Sequence, residues 1–147
     1  GFLTSWIHQL EKKVKSTADR EALGNSIYGI EKKQFPYMLC ITNMLLHGVP
    51  YQYFNIANGD TLEEPEFYGE TFSAVVSNPP YSAKWSANAE FLEDERFSAY
   101  GKLAPASKAD FAFVAHMLYY LEEEGTLAVV LPHGVLFRGA MDALFQS

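Results

Sequence analysis

The sequence contains little cysteine, little positive charge and no long apolar run. Cys40 is the one cysteine among 147 residues, so a disulfide framework and a cysteine-rich metal site are both excluded within the chain. No apolar run approaches the ~20 residues that span a membrane, and no signal peptide is visible. We therefore expect a soluble protein of the reducing cytoplasm, with no membrane partner.

Positive charge is outnumbered by negative charge. The chain has 11 Lys and Arg residues against 18 Asp and Glu residues, which gives a formal net charge of −7. A chain of this charge is a poor electrostatic partner for a polyanion. If a nucleic acid is the substrate, another domain or subunit has to supply much of the contact with the phosphates.

Apolar residues, in contrast, are plentiful. Hydrophobic residues make up 48% of the sequence and aromatic residues 15%, which is typical of a folded globular protein. The length suffices for one domain around a single core. Because the sequence opens with Gly1 directly before a helical pattern and stops within another, we expect an interior piece of a longer protein.

Helices are indicated by apolar residues that recur at helical spacing. This spacing predicts four helices, over about residues 2–20, 34–47, 108–124 and 139–145. The predicted inward side of the second helix consists of Phe35, Met38, Leu39, Thr42, Leu45 and Leu46. The third helix follows a capping-box pattern, Ser107-Lys108-Ala109-Asp110, which is a common helix start.

Strands are indicated by short runs of β-branched and aromatic residues. These runs predict strands over residues 26–30, 51–56, 72–77 and 126–131, whereas residues 82–106 lack a clear period. Strands that alternate with helices predict an α/β fold with a mainly parallel sheet covered on both faces.

Ligands of such sheets bind outside the carboxyl ends of the strands. The predicted strands place four clusters there, namely Glu31, Asn58 to Asp60, Asn78 to Tyr81, and Pro132 with His133. We expect all four clusters to line one rim.

The third cluster, Asn78-Pro79-Pro80-Tyr81, is called here the proline corner. Each proline fixes its φ near ~−65° and removes an N–H group, and a residue before proline is pushed toward extended geometry. The Asn78 amide oxygen and the Pro79 carbonyl are therefore two acceptors in a stiff turn, which suits an exocyclic –NH2 group. Tyr81 offers a flat face for stacking a base. The alternative is that the prolines only terminate the strand.

Three segments resemble a known family: "SNPPYSAKW", "LAPASKADFAFVAHMLYYL" and "LPHGVLFRGA". In this order they are similar to the modification (methyltransferase) subunit of type I restriction-modification systems, which are N6-adenine DNA methyltransferases. The resemblance implies a Rossmann-like sheet that uses S-adenosylmethionine. It also implies that residues 1–147 are a partial catalytic domain that lacks the first strand and the last strands. The implied partners are DNA with a flipped adenine, a specificity subunit and a restriction subunit.

The resemblance also assigns roles to single residues. Asn78 and the Pro79 carbonyl would hold the adenine N6 atom, with Pro80 completing the motif, and Tyr81 would stack on the flipped base. The implied cofactor contacts are Gly1 from a Gly-rich loop, Glu31 on the ribose, Asp60 on the cofactor adenine, Asn78 of the proline corner, and Asp110 with Phe111 at a helix start.

Simpler interpretations remain for several of these residues. Glu31 could favour a helix N-terminus, Asp60 could be an Asx-turn residue, and Phe111 could belong to the core. Trp85 could contact DNA or cover its loop. The histidines of the predicted helices lack ligand spacing, so no metal site is assigned.

Two functions of other classes also remain open. Glutamine-amide protein methyltransferases share the Asn-Pro-Pro-Tyr motif and suit the same two acceptors. A non-catalytic assembly subunit could retain the fold without the chemistry.

Overall fold

A computed structural model describes residues 1–135, which form two compact units. The first unit is Gly1–Glu66 and the second begins at Phe67. In chain order the helices and strands are α1 (Phe2–Glu11), α2 (Thr17–Asn25), β1 (Tyr28–Glu31), α3 (Gln34–Leu46), β2 (Asn55–Asn58), β3 (Phe72–Ser77), α4 (Asp110–Tyr119) and β4 (Leu121–Val129). The helix predicted over residues 139–145 lies outside the described residues. The single partial domain expected over 1–147 stays a prediction.

The first predicted helix is wrong in its length, because α1 and α2 are separate helices. Ser16 caps α2: its hydroxyl accepts a hydrogen bond from the Asp19 N–H at 3.1 Å. The Asp19 carboxylate accepts in return from the backbone N–H groups of Ser16 and Lys15. This reciprocal capping box satisfies N–H groups that a helix start leaves unpaired, and it therefore favours a new helix at Thr17.

The core of the first unit lies around a parallel strand pair. Strand β1 pairs with β2 in the register Tyr28↔Asn55 to Glu31↔Asn58. The buried residues that pack together beside it are Ile7, Leu23, Ile27, Met44 and Val49. Residues 51–56, which the sequence predicts to be one strand, instead form a 3₁₀ turn at Tyr51–Tyr53 followed by β2.

The predicted inward side of α3 is wrong. All six of its residues are exposed, with Phe35 at 72% and Leu46 at 78%. The buried side instead carries Met44, with Cys40 packed against the same core. Burial raises the pKa of the Cys40 thiol, as expected for an unreactive cysteine. Because α3 is apolar on most sides, the spacing of its apolar residues does not identify the side that is buried.

The second unit is built on another parallel strand pair. Strand β3 follows residues 72–77 as predicted and pairs with β4 in the register Ala74↔Thr126 to Ser77↔Val129, with an irregularity between Phe72 and Ala74. Helix α4 ends at Tyr119, before the predicted end near Gly125, because β4 already begins at Leu121. The predicted α/β class with parallel strand pairing is confirmed.

Parallel pairing places the carboxyl ends of both strands of a pair at one edge. In the first unit this edge carries Glu31 and Asn58, which are paired in register. In the second unit it carries Ser77 and Val129, which lead into the proline corner and into residues 130–133. Within each unit these candidates lie at or directly after strand ends, as expected, whereas their binding of a ligand stays a prediction. A single rim for all four clusters stays a prediction.

Candidate active site

The proline corner begins where β3 stops. The Ser77 carbonyl accepts a hydrogen bond from the Val130 N–H at 3.0 Å, which extends the ladder by one step past β4. Directly after it the Asn78 residue is exposed, Pro79 is buried, and Tyr81 is 53% exposed. Among residues 1–135, neither the Asn78 amide nor the Pro79 carbonyl has a hydrogen-bond partner. Among these residues, neither acceptor of the corner is therefore used by the protein itself, and Asn78 is exposed.

The far side of the corner is tied to the start of α4. The Ser82 N–H donates to Oδ1 of Asp110 at 3.1 Å, and the Ala109 N–H donates to the Ala83 carbonyl at 2.9 Å. Ser82 has φ +51°, a left-handed conformation that is uncommon for a residue with a side chain. Asp110 is 2% exposed, so its carboxylate is part of the interior of this unit.

The predicted capping box at the start of α4 is wrong. The N-cap is Ala109, whose side chain forms no cap, and Ser107 is exposed. The carboxylate that the pattern assigns to helix capping is instead bonded to Ser82. Phe111, the next residue, is half-buried.

An aromatic cluster fills the loop that follows the corner. Trp85 is buried and stacks on Phe91 with ring centroids 5.4 Å apart, and Phe97 packs against both rings. The Trp85 indole N–H lies 3.3 Å from the carbonyls of Ala104 and Pro105. Trp85 could contact DNA or cover its loop, and the buried position agrees with cover of the loop.

A buried ionic network beneath these rings was not predicted from the sequence. Arg96 is 1% exposed and donates to both carboxylate oxygens of Asp94, the shortest contact being 2.8 Å. Its Nη1 donates to Nδ1 of His116 at 3.1 Å, and the Tyr68 hydroxyl donates to Asp94 at 3.1 Å. The guanidinium also lies over the Phe97 ring at 4.8 Å. The network therefore joins the loop to α4.

The protonation of this network follows from its burial. Burial and the nearby Arg96 charge lower the pKa of His116 to about 4, so its imidazole is neutral and can accept from Arg96. Burial raises the pKa of Asp94, but the hydrogen bonds from Arg96 outweigh this effect and leave the pKa below its usual value. The sequence shows only a run of charged residues around Arg96, and nothing in it indicates that Arg96 is buried.

Glu31 lies at the carboxyl edge of the first strand pair. Its backbone carbonyl accepts from the Asn58 side chain at 2.7 Å and from the Gly59 N–H at 3.2 Å. Its side-chain Oε1 accepts from the Lys33 N–H at 2.9 Å, directly before α3. Within the described part of the chain, Oε2 of Glu31 has no hydrogen-bond partner. One oxygen thus supports the helix start and the other remains available.

Asp60 follows the end of β2 by two residues. Oδ1 accepts from the N–H groups of Leu62 and Glu63 at 3.1 and 3.4 Å, while Oδ2 pairs with the Lys32 ammonium. Burial raises the pKa of Asp60, but the contacts with Lys32 and the two N–H groups outweigh it, so the net shift is downward. The Asx-turn interpretation is therefore confirmed, and the residue still presents an ionised carboxylate.

Gly1 is the N-cap of α1 and is exposed. Its amino group donates to the Thr4 hydroxyl at 2.9 Å. Within residues 1–135, no three His, Cys, Asp or Glu side chains are arranged to hold a metal ion. In the same range, no helix combines the length and the apolar character needed to cross a membrane.

Two parallel strand pairs, each with polar residues at its carboxyl edge, define an α/β protein with ligand-binding candidates at its strand ends. The chain belongs to the N-6 DNA methylase family, whose model matches residues 1–145. Membership of this family implies a methyl donor and confirms the resemblance seen in the sequence.

Similar proteins agree with this family. The type I restriction enzyme MpnII methylase subunit of Mycoplasma pneumoniae is 46% identical over 123 residues, which are 77% of this chain and 23% of that protein. A crystal structure of a type I restriction-modification methyltransferase subunit from Streptococcus thermophilus is 52% identical, with a TM-score of 0.73 over 79% of this chain and 25% of that chain.

A second solved structure concerns complex assembly and conformational transition of the type I R-M system. It is 25% identical and has a TM-score of 0.74, over 97% of this chain and 28% of that chain. This chain therefore spans about a quarter of the length of the proteins that it matches.

Proposed function

We propose that the protein carrying this chain transfers a methyl group from S-adenosylmethionine to the N6 amino group of adenine in DNA. It does so as the methylase subunit of a type I restriction-modification complex. The observation that carries the proposal is the proline corner: the acceptors of Asn78 and Pro79, which have no hydrogen-bond partner among residues 1–135, follow a parallel strand in a member of the N-6 DNA methylase family.

The chemistry of the corner follows from its two acceptors. The exocyclic nitrogen of adenine is a weak nucleophile because its lone pair is delocalised into the ring. Hydrogen bonds from its two N–H groups to Asn78 and to the Pro79 carbonyl favour a tetrahedral nitrogen and return electron density to the lone pair. Pro80 keeps the turn stiff, so the two oxygens are already oriented when the base arrives.

Tyr81 supplies the face on which the base stacks. Its ring is half exposed, and base–aromatic stacking contributes about 1–3 kcal/mol. The adenine has to leave the duplex first, because its N6 atom is not accessible to a methyl donor inside the base stack.

The residues of the first unit suit S-adenosylmethionine. When bound, this cofactor supplies an electrophilic methyl group on a sulfonium. Oε2 of Glu31, which has no hydrogen-bond partner among the described residues, is a suitable acceptor for ribose hydroxyls, as in other nucleotide-binding α/β folds. The carboxylate of Asp60 would accept from the cofactor's adenine amine, since a carboxylate has about four lone-pair sites. The family resemblance adds Gly1 as a backbone contact in the cofactor loop and Asn78 and Phe111 as further contacts that the cofactor would have.

The charge of the chain bears on its partners. With a net charge of −7, this segment contributes little to the grip on DNA phosphates, and we assign the reading of the target sequence to a specificity subunit. A restriction subunit completes the complex. A DNA substrate and a single unpaired cysteine agree with a cytoplasmic location.

Transfer of a tritiated methyl group tests the proposal. A full-length protein carrying this chain, assembled with its partner subunits, is incubated with labelled S-adenosylmethionine and DNA. After digestion to nucleosides, we expect the label in N6-methyl-2′-deoxyadenosine from the DNA. Label in a protein glutamine would instead support an amide methyltransferase, and no transfer at all would support a non-catalytic assembly subunit.

A further inference from the structure

Ser82 is the point at which the chain leaves the proline corner. Its φ of +51° lies in a region that residues with a side chain rarely adopt, so the surrounding structure has to hold it there. The contact that does so is the hydrogen bond from the Ser82 N–H to Oδ1 of Asp110 at 3.1 Å. The strained residue is thus bonded to a carboxylate that lies 28 positions later in the chain.

Asp110 is well suited to fix a backbone position. It is 2% exposed and belongs to the first turn of α4, where the positive end of the helix dipole stabilises a negative charge. A hydrogen bond to a carboxylate is stronger than one to a neutral acceptor. The neighbouring bond from Ala109 to the Ala83 carbonyl at 2.9 Å joins the same two segments, so α4 and the chain after the corner are held as one piece.

The corner is consequently held at both ends. Before it, the Ser77 carbonyl accepts from Val130; after it, Ser82 donates to Asp110. Between these anchors the two prolines allow little rotation. Because the φ angles of Pro79 and Pro80 are fixed, a change of the backbone at Ser82 is passed on to Tyr81 and toward the Pro79 carbonyl.

We propose that Asp110 is a positioning residue that acts through the backbone N–H of Ser82 to aim the proline corner at the substrate amine. This inference rests on the proposed function, and it replaces the cofactor contact that the family resemblance implies for Asp110. A side chain that is 2% exposed and already bonded to the corner offers almost no surface to a cofactor.

Two variants of a full-length protein, assembled with its partner subunits, test the proposal. Asp110→Ala removes the acceptor, and we expect kcat to fall by about 10²-fold, the usual cost of a misplaced reacting group, with the Kd of S-adenosylmethionine unchanged within about twofold. Asp110→Asn retains an oxygen at the Oδ1 position, so we expect kcat to remain within about fivefold of the wild type. Ser107→Ala, at an exposed neighbouring position, is the matched control.

Hydrogen exchange supplies a readout that does not depend on activity. We expect the Ser82 amide to exchange faster in Asp110→Ala and to stay protected in Asp110→Asn. If Asp110→Ala does not fold, Asp110→Glu replaces it: the longer side chain displaces the acceptor, so kcat falls and Ser82 exchange rises at unchanged cofactor Kd.

The opposite pattern would overturn the proposal. If Asp110→Ala weakens cofactor binding while kcat at saturating cofactor and Ser82 exchange stay unchanged, Asp110 is a cofactor contact. An Asp110→Ala protein with wild-type kcat and wild-type exchange excludes positioning. If the wild type itself transfers no methyl group to adenine, the proposed function fails, and Ser82 exchange in the two variants still decides whether Asp110 holds the corner.

Discussion

The two strand pairs hold their candidate functional residues in different ways. At the edge of β1 and β2, Glu31 and Asp60 are held by side-chain contacts, including an ion pair with the exposed Lys32. At the edge of β3, the proline corner is held through its backbone, by Val130 on one side and by Asp110 on the other. Charged side-chain contacts thus hold the residues of the first edge, and backbone hydrogen bonds hold those of the second.

This difference matches the two tasks that we propose. An edge made of charged side chains can adjust to a ligand, because an exposed ion pair is worth little and is readily exchanged for another contact. A corner that orients a reacting nitrogen gains from being rigid before the substrate arrives. We therefore expect changes at the first edge to alter affinity and changes at the second to alter turnover.

The largest expected effect is on the stability of the second unit. Arg96→Met leaves Asp94 without its cation and His116 without its donor, and removal of one partner from a buried ion pair costs about 3–5 kcal/mol. Hydrogen exchange should rise in peptides from residues 67–135 and stay unchanged in residues 1–66. Arg20→Met, at an exposed arginine of the first unit, is the control. Equal effects of the two variants would contradict a stabilising role of the buried Arg96 network.

A change in the proline corner should lower kcat. Asn78→Ala removes one of the two acceptors for the adenine amine, and loss of one such preorganised contact lowers kcat by about 10²–10³-fold. The Kd of S-adenosylmethionine, measured by calorimetry, should change by less than about threefold, that is, by less than one typical hydrogen bond. Asn88→Ala, in the exposed part of the following loop, is the control. Methylation at the normal rate by Asn78→Ala would remove Asn78 from the mechanism.

His116 should make the second unit sensitive to acid. Its pKa of about 4 in the folded protein lies below the ordinary 6.5, so the unfolded chain takes up the proton first. The contribution of neutral His116 to the free energy of unfolding is fully present above about pH 6.5. It is lost as the pH decreases toward 4, by about 3 kcal/mol for a shift of this size. His116→Asn keeps an acceptor for Arg96 and should lose this part of the slope. Identical pH profiles of the two proteins would show that His116 does not cause the loss.

A change at the edge of β1 and β2 should weaken the affinity for the cofactor. Asp60→Ala removes the carboxylate proposed to accept from the cofactor's adenine, and hydrogen bonds to charged groups contribute about 1.5–3 kcal/mol, or about 10–100-fold in Kd. At saturating cofactor we expect kcat to stay near the wild-type value, in contrast to Asn78→Ala. Glu70→Gln tests for a general effect of lost negative charge. A fall in kcat without a change in Kd would reverse the roles of the two edges.

The smallest effect concerns the break between α1 and α2. If Ser16 is the cap of a separate helix, Ser16→Ala destabilises the protein by about 1 kcal/mol. If residues 2–20 formed one continuous helix, the same substitution would stabilise it, because alanine has the highest helix propensity. Chemical denaturation shows whether Ser16→Ala lowers or raises the free energy of unfolding. The control is Ser5→Ala, at an exposed position inside α1, which should not destabilise the protein.

The sequence predicts the strand ends well. Strand β3 has the predicted bounds, both strand pairs are parallel, Glu31 is the last residue of β1, and Asn78 directly follows β3. These features depend on local signals: β-branched runs, prolines, and glycines after strands. Such signals act over a few residues and are visible in the chain itself.

The capping-box pattern shows where local signals stop being sufficient. It occurs at residues 16–19 and again at residues 107–110. At the first position it caps a helix, whereas at the second the Asp110 carboxylate is taken by Ser82, a residue distant in sequence. Arg96 is a similar case, since its burial depends on His116, 20 positions later. Tertiary contacts of this kind decide between interpretations that the sequence leaves equal.

The outward side of α3 has a practical consequence for experiments on this chain by itself. Phe35, Met38, Leu39, Leu45 and Leu46 all face solvent there, and a continuous apolar surface of this kind promotes association in water. We expect a concentrated solution of the chain to scatter light and to sediment as a mixture of sizes. A molecular mass measured under those conditions reports self-association through the exposed side of α3.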